Sequence, residues 1–187
     1  MGHGGDVINE LVTDHREVEE LFKRIERLPS GAAERKELAD QVTIELVRHA
    51  VAEEEYLYPA VREHVPGGDA IADRELADHA SAERTMKELE ACEAGDVRFD
   101  ALVTQLMAEI RGHVDDEEAN LFPRLRASCP PEALEELGDK VRKAKKVAPT
   151  RPHPAAPDRP PANKLLDPGA GIVDRLRDAV TGRGKHD

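Results

Sequence analysis

The amino-acid sequence predicts an all-α protein: an up-down-up-down four-helix bundle with an extra C-terminal helix and a proline-rich tail. Three observations carry this expectation. Ala, Leu, Glu, Arg and Asp dominate the 187 residues, aromatics make up only 3%, and no β-branched or aromatic run suggests a strand. Four long segments repeat apolar residues at helical spacing and are separated by short Pro/Gly punctuation. One motif occurs twice, as HAVAEEEYLYPAVR at 49–62 and HVDDEEANLFPRLR at 113–126, so the bundle reads as two copies of one helical pair.

The first helix is expected over about 6–28, ending at Pro29-Ser30-Gly31, and the second over about 32–64, ending at Pro66-Gly67-Gly68. The third spans about 69–93 before Gly95-Asp96, and the fourth about 97–127 before Cys129-Pro130-Pro131. Connections this short make successive helices antiparallel neighbours. Pro59 and Pro123 fall late in the second and fourth helices, at matching places in the repeat, and should kink or end them. A fifth helix over about 131–146 opens at Pro131-Glu132 and is amphipathic through Leu134, Leu137 and Val141. The chain thus divides into a bundle at 1–128, an accessory helix at 129–147, and a tail at 148–187. That tail reads as a proline-rich linker followed by a short amphipathic segment, Gly171–Val180, which either packs back on the bundle or docks on a protein partner.

The apolar stripe of each helix is interrupted by polar residues at the same depth. His15 interrupts the first, His49 and Glu53 the second, Glu75 and His79 the third, and His113 and Glu117 the fourth. His49/Glu53 and His113/Glu117 are each one turn apart on one face. Four imidazoles and two carboxylates buried without partners would be very unfavourable, and a pair of metal ions removes the difficulty. This donor set suits iron, manganese or zinc, and a carboxylate can bridge two ions. The metal-ligand candidates are therefore His15, His49, Glu53, His79, His113 and Glu117. A single buried His is usually a hydrogen-bonded core residue; four of them, one per helix and in repeat register, argue for ligands. His3, His64, His153 and His186 lie in tails, at a helix end or in the linker, and keep the ordinary reading. Glu54, Glu55 and Glu118 turn about 100° from the stripe and are expected to be solvated, unless a helix end rotates one of them inward. Tyr58 has Phe122 as its repeat counterpart, so packing is expected of it, with a ligating or redox role as the alternative.

Net charge is −12, but the distribution is uneven: 139–187 carry twelve Lys/Arg against six Asp/Glu, leaving the rest strongly acidic. An acidic bundle repels phosphate backbones, so no nucleic-acid partner is expected. No apolar run is long enough for a membrane span, the N-terminus has no signal-peptide core, and Cys92 and Cys129 form no framework of disulfides. A cytoplasmic location follows as the expectation. HExxH, the Glu-x-x-His of ferritin-like sites, GxSxG and Gly-rich phosphate loops are all missing.

The pattern His15, His49-x-x-x-Glu53, His79, His113-x-x-x-Glu117 over about residues 6–127 resembles the hemerythrin-like, or HHE cation-binding, family. The resemblance implies a bundle holding two non-haem iron ions joined by an oxo or hydroxo bridge. Glu53 and Glu117 would bridge them, and the four His would be terminal ligands. Oxygen-carrying members have a further His four residues before the His of the third helix, where this chain has Glu75. With four imidazoles, two bridging carboxylates and one oxygen bridge, two six-coordinate irons keep two positions open, so Glu75 or water would complete them. That favours the ferric state and makes reversible oxygen carriage a poorer fit than reaction with peroxide, with Glu75 as a candidate catalytic proton acceptor. The implied function is a di-iron protein reacting with oxygen-derived ligands, with catalase-like decomposition of hydrogen peroxide first. Non-enzymatic oxygen or nitric oxide binding or sensing, or iron binding, are the alternatives.

Overall fold

In the computed structural model, residues 4–155 are described, together with 170, 171, 173, 174, 177 and 178. Helix α1 (Val7–Arg27) starts where the Asp6 side chain accepts the Asn9 N–H at 2.8 Å, a cap that satisfies one of the free donors of the first turn. It ends at Leu28, ahead of Pro29. Helix α2 (Ala33–Ala52) returns alongside it, and α4 (Gly68–Glu90) and α5 (Phe99–Asp116) make the second antiparallel pair. No strand occurs among the described residues, and no helix among them is long and apolar enough to cross a membrane.

Pro59 and Pro123 neither end their helices nor leave them regular. Just before each proline the chain widens into one π-helical turn, Glu53–Leu57 and Glu117–Leu121. The α-helix then resumes as α3 (Tyr58–His64) and α6 (Phe122–Ser128). A proline ring clashes with the carbonyl four residues earlier, and the wider turn moves that carbonyl aside. The closing bonds run five residues back, from Tyr58 N–H to Glu53 O and from Phe122 N–H to Glu117 O. Both π turns begin on a candidate ligand.

The apolar interior forms two clusters. One, around Phe22, Ile25, Leu38, Leu89, Phe99 and Leu106, fills the end of the bundle near the first and third connections. The other, around Leu11, Leu57, Tyr58, Val61, Phe122 and Leu125, fills the opposite end and extends under helix α7 (Pro131–Val147). Each buried Phe or Leu contributes roughly 1.5–3 kcal/mol by leaving water. Between the clusters lies the polar layer.

Helix α7 packs on α1 and α2 through Leu134, Val141 and Ala144. At Gly138 the helices approach so closely that a β-carbon would lie 2.6 Å from the Gly5 carbonyl oxygen. Residues 148–155, the start of the proline-rich stretch, lie against the bundle with Thr150 and Arg151 buried. They are clamped by the C-terminal segment. The Asp174 carboxylate accepts from Thr150 N–H at 3.2 Å and Arg151 N–H at 3.1 Å, and Asp178 pairs with Thr150 Oγ1 and Arg151, both at 2.6 Å. Gly171 permits this: a β-carbon there would lie 2.2 Å from the Val147 carbonyl oxygen. The described part of the C-terminal segment therefore packs back on its own chain.

These glycines make a paired test. Gly138→Ala drives a methyl into backbone and should lower stability by about 1–3 kcal/mol in urea denaturation. Gly112→Ala, exposed within α5 with nothing near its β-position, should raise stability by about 0.5–1 kcal/mol.

Candidate metal centre

All six predicted ligands converge in the layer between the two cores, each buried or nearly so. α1 supplies His15, α4 supplies His79, and the ends of α2 and α5 supply His49 and His113. The first residues of the two π turns supply Glu53 and Glu117. Two lobes result. In one, His15 and His49 stand with ring centroids 5.0 Å apart; in the other, His79 and His113 stand 4.9 Å apart. Glu53 faces both: Oε1 is 3.1 Å from His49 Nε2, and Oε2 is 3.3 Å from His79 Nε2. Glu117 Oε2 lies 3.4 Å from His15 Nε2 and 3.6 Å from His113 Nε2. Each lobe gathers its donor atoms within 4.8 Å of one another, which is the spread one small cation can draw together.

The far ring nitrogens are held from behind. His15 Nδ1 contacts Glu118 Oε1 at 2.9 Å, and in the other repeat His79 Nδ1 contacts Glu54 Oε1 at 2.9 Å. These two glutamates were expected in solvent. Both lie inside the π turns, right after Glu53 and Glu117, where the 100° spacing of an α-helix does not hold. Glu55, also expected to be solvated, is buried for the same reason. His49 Nδ1 contacts Asp14 Oδ2 at 3.1 Å, and His113 Nδ1 lies 3.1 Å from Glu75 Oε2. By the repeat, Asp78 should do for His113 what Asp14 does for His49. Asp78 is exposed, and Glu75, one turn earlier, takes the place instead. Such carboxylate–imidazole contacts orient a ligand ring and leave Nε2 free for a metal.

The π turns also aim an aromatic ring at each lobe. Phe122 stacks on His15 at 5.9 Å and 8°, and Tyr58 lies 5.4 Å from His79. Only Tyr58 carries a hydroxyl. It is 3.0 Å from His79 Nε2 and donates toward Glu53 Oε2 and Glu117 Oε1, both at 3.4 Å. Packing alone does not describe this residue, because its polar end is inside the donor cluster. A charged shell surrounds the layer: Lys145 of α7 pairs with Asp14 and with buried Glu10, Arg16 with Glu118, and Arg74 with Glu75 and Asp116.

Electrostatics show what the layer lacks. Burial pushes the His49 imidazole down, yet the facing Glu53 and Asp14 carboxylates outweigh it and hold it up to about 10. Burial likewise opposes the charge on His79, and Glu53 and Glu54 hold its imidazolium well above the ordinary range. Burial and then the surrounding carboxylates push the Tyr58 phenol well up. Even so, His15 Nε2, Glu53 Oε1 and Glu117 Oε2 are buried with no hydrogen-bond partner among the described residues. Buried carboxylate oxygens without donors are rare and costly. Two cations facing those atoms would satisfy them and displace the imidazole protons, so the residues present fit a two-metal group.

The sequence model of the hemerythrin HHE cation-binding domain matches residues 6–125, which hold all six predicted ligand residues. The chain belongs to that family. It is thus a metal-binding member of the hemerythrin family. An uncharacterized hemerythrin-like protein of Schizosaccharomyces pombe is 26% identical over 172 residues, covering 91% of this chain and 84% of that one. A protein of Nostoc named DNA nickase is 32% identical over 133 residues, 71% of this chain; the chain spans only 37% of that protein's length. Among solved structures, an HHE cation-binding domain-containing protein of Mycobacterium kansasii superposes with a TM-score of 0.66. It is 22% identical and covers 75% of this chain and 85% of its own. That likeness shows the shared helical fold.

Two outcomes follow for this hemerythrin-family centre. The metal-free pKa of His49 is raised above its ordinary 6.5 to about 10. Its protonated form therefore stabilises the fold fully below about pH 6.5, and that contribution is lost as pH rises through about 10. The urea midpoint of metal-stripped protein should fall between pH 7 and pH 10, whereas metal-loaded protein, having no such proton to lose, should not follow it. Separately, Lys145→Met removes the cation shared by the buried Asp14 and Glu10 side chains. It should cost on the order of 3 kcal/mol in the same measurement.

Proposed function

We propose that the centre holds two non-haem iron ions and decomposes hydrogen peroxide. His15 and His49 hold one ion, His79 and His113 the other, and Glu53 and Glu117 lie between them. The observation that carries the two-ion reading is Glu53, whose two oxygens face opposite histidine pairs. A pair of irons supplies Lewis acidity and a two-electron store, which is what turning two hydrogen peroxide molecules into oxygen and two waters requires.

The chain's own residues supply position and protons. Tyr58 keeps its proton, because burial and the carboxylates around it oppose the phenolate; its Oη is therefore a donor fixed between Glu53, Glu117 and His79. Glu75 is fully buried against His113 Nδ1 and holds that ring in place. Its carboxylate also lies close enough to the donor atoms of His113 and Glu117 to accept a proton there. Glu54 and Glu118 fix the tautomers of His79 and His15, with Nε2 turned inward. The apolar clusters on both sides limit water and make each of these contacts stronger than it would be in solvent.

Metal analysis, the visible spectrum and oxygen evolution on adding hydrogen peroxide test this together. The expected result is two irons per chain and one oxygen released per two peroxides consumed. Tyr58→Phe should keep both irons and lower turnover by on the order of ten- to a hundredfold. Glu75→Ala that kept both spectrum and turnover would remove Glu75 from the proposal. Two irons with no turnover would replace peroxide decomposition by oxygen or nitric oxide binding, and zinc or no metal would end the di-iron reading.

A further inference from the structure

Above the histidine layer, on the side where α2 and α4 face each other, lies a chamber of about 470 Å³. Hydrogen peroxide or oxygen needs little more than the space of one water, roughly 30 Å³ in the liquid. The chamber is more than tenfold larger than such ligands require, and it falls in the range of roughly 300–1,000 Å³ that accommodates whole organic molecules. Its chemistry is graded. His15, His49, His79 and His113, with the Asp14 and Glu54 carboxylates beside two of them, form the floor; Val18, Leu46, Val47, Ala82, Met86 and Ile110 form the walls. The roof is not made by the bundle at all. It is the clamped tail, Pro149 to Ala155, tied to α4 where Glu83 accepts the His153 N–H at 2.7 Å.

The rim selects against charge. Lys87 is paired with Glu90 at 2.9 Å, Arg151 with Glu90 and Asp178, and the His153 ring with Asp174 at 2.9 Å. Each cation near the roof already has its carboxylate, so none is set aside for an anionic head group. Glu83 adds negative character at the same edge. The apolar walls reject a polar group part-way along the ligand, because a hydroxyl buried on them would lose its hydrogen bonds with water.

We propose that this chamber binds a medium-chain aliphatic molecule with one uncharged oxygen head group, of the alcohol or hydroperoxide class, its head toward the four histidines and its chain along Leu46, Ala82 and Met86. Binding depends on the protein walls alone. That the head group meets a metal centre rests on the function proposed above.

The test uses the full-length, metal-loaded protein, calorimetric titration, and 1-octanol as the probe, with metal content measured on the same samples. One octanol should bind per chain, and 1,4-octanediol should bind at least tenfold more weakly, since its second hydroxyl lies part-way along the chain and has no partner on the walls. Ala82→Phe, which fills the chamber beside the floor, should weaken octanol at least tenfold with metal content unchanged. If that variant does not fold, the alcohol–diol comparison on the unaltered chain decides alone. No octanol binding up to its solubility limit, or equal affinity for alcohol and diol, overturns the proposal. Octanol binding by protein that holds no iron supports the chamber and removes only the di-iron reading. With iron present, a shift of the visible spectrum on octanol binding places the head group at the centre.

Discussion

Everything in this molecule is arranged around one requirement: a layer of ionisable side chains crosses the middle of an apolar bundle and must be neutralised there. Four imidazoles and the carboxylates of Glu53, Glu75 and Glu117 lie where a bundle of this size would otherwise have continuous Leu and Val packing. The layer splits the interior into two apolar clusters, and each of those closes over it from one side. A helical bundle can bear such a layer because its backbone hydrogen bonds are satisfied within each helix, so only side chains have to be matched. Cations at the Nε2 and carboxylate atoms would match them from inside, while Asp14, Glu54, Glu75 and Glu118 face the outer ring nitrogens from behind.

The prolines connect backbone to chemistry. Just before Pro59 and Pro123 the second and fourth helices depart from regular α geometry, in the turns that carry Glu53 and Glu117. The π turn that accommodates each ring rotates the following residues. In one step it brings Glu54 and Glu118 behind the histidines and Tyr58 and Phe122 onto them. The two repeats use the same device but do not end the same way. Phe122 offers His15 only a ring, whereas Tyr58 offers His79 a ring and a proton donor. Asp14 backs His49 from the residue before His15, whereas Glu75 backs His113 from a turn before His79. The repeat provides one scaffold for both lobes, and single-residue differences make the two chemically distinct.

The sequence was legible where one regular rule applied and failed where the rule was locally broken. Helix limits, the short connections, the fifth helix and the six converging residues all follow from α-helical spacing and a repeat, and the structure brings those six together. Glu54 and Glu118 were hidden because a 100° wheel cannot represent a π turn; proline after a repeated Glu-Glu was the available signal. Glu75 was legible as an inward carboxylate but not as the partner of His113, because the repeat pointed to Asp78. The packing of the tail was unreadable for a different reason. Its contacts are hydrogen bonds and ion pairs from Thr150, Arg151 and His153 to Asp174, Asp178, Glu83 and Glu90, and these leave no apolar periodicity to detect.

That polar attachment distinguishes the tail from the rest of the protein. The bundle and α7 are held by burial of apolar surface, which is non-directional and does not come apart piece by piece. The segment over the histidine layer is buried at 148–152 and is held in addition by directed contacts converging on Asp174 and Asp178. The predicted ligand residues lie between two hydrophobic clusters, whereas the segment covering them is also tied down by carboxylates. The same acidic residues that give the chain its net charge of −12 supply those ties, so part of that acidity serves the architecture of the site as well as solubility.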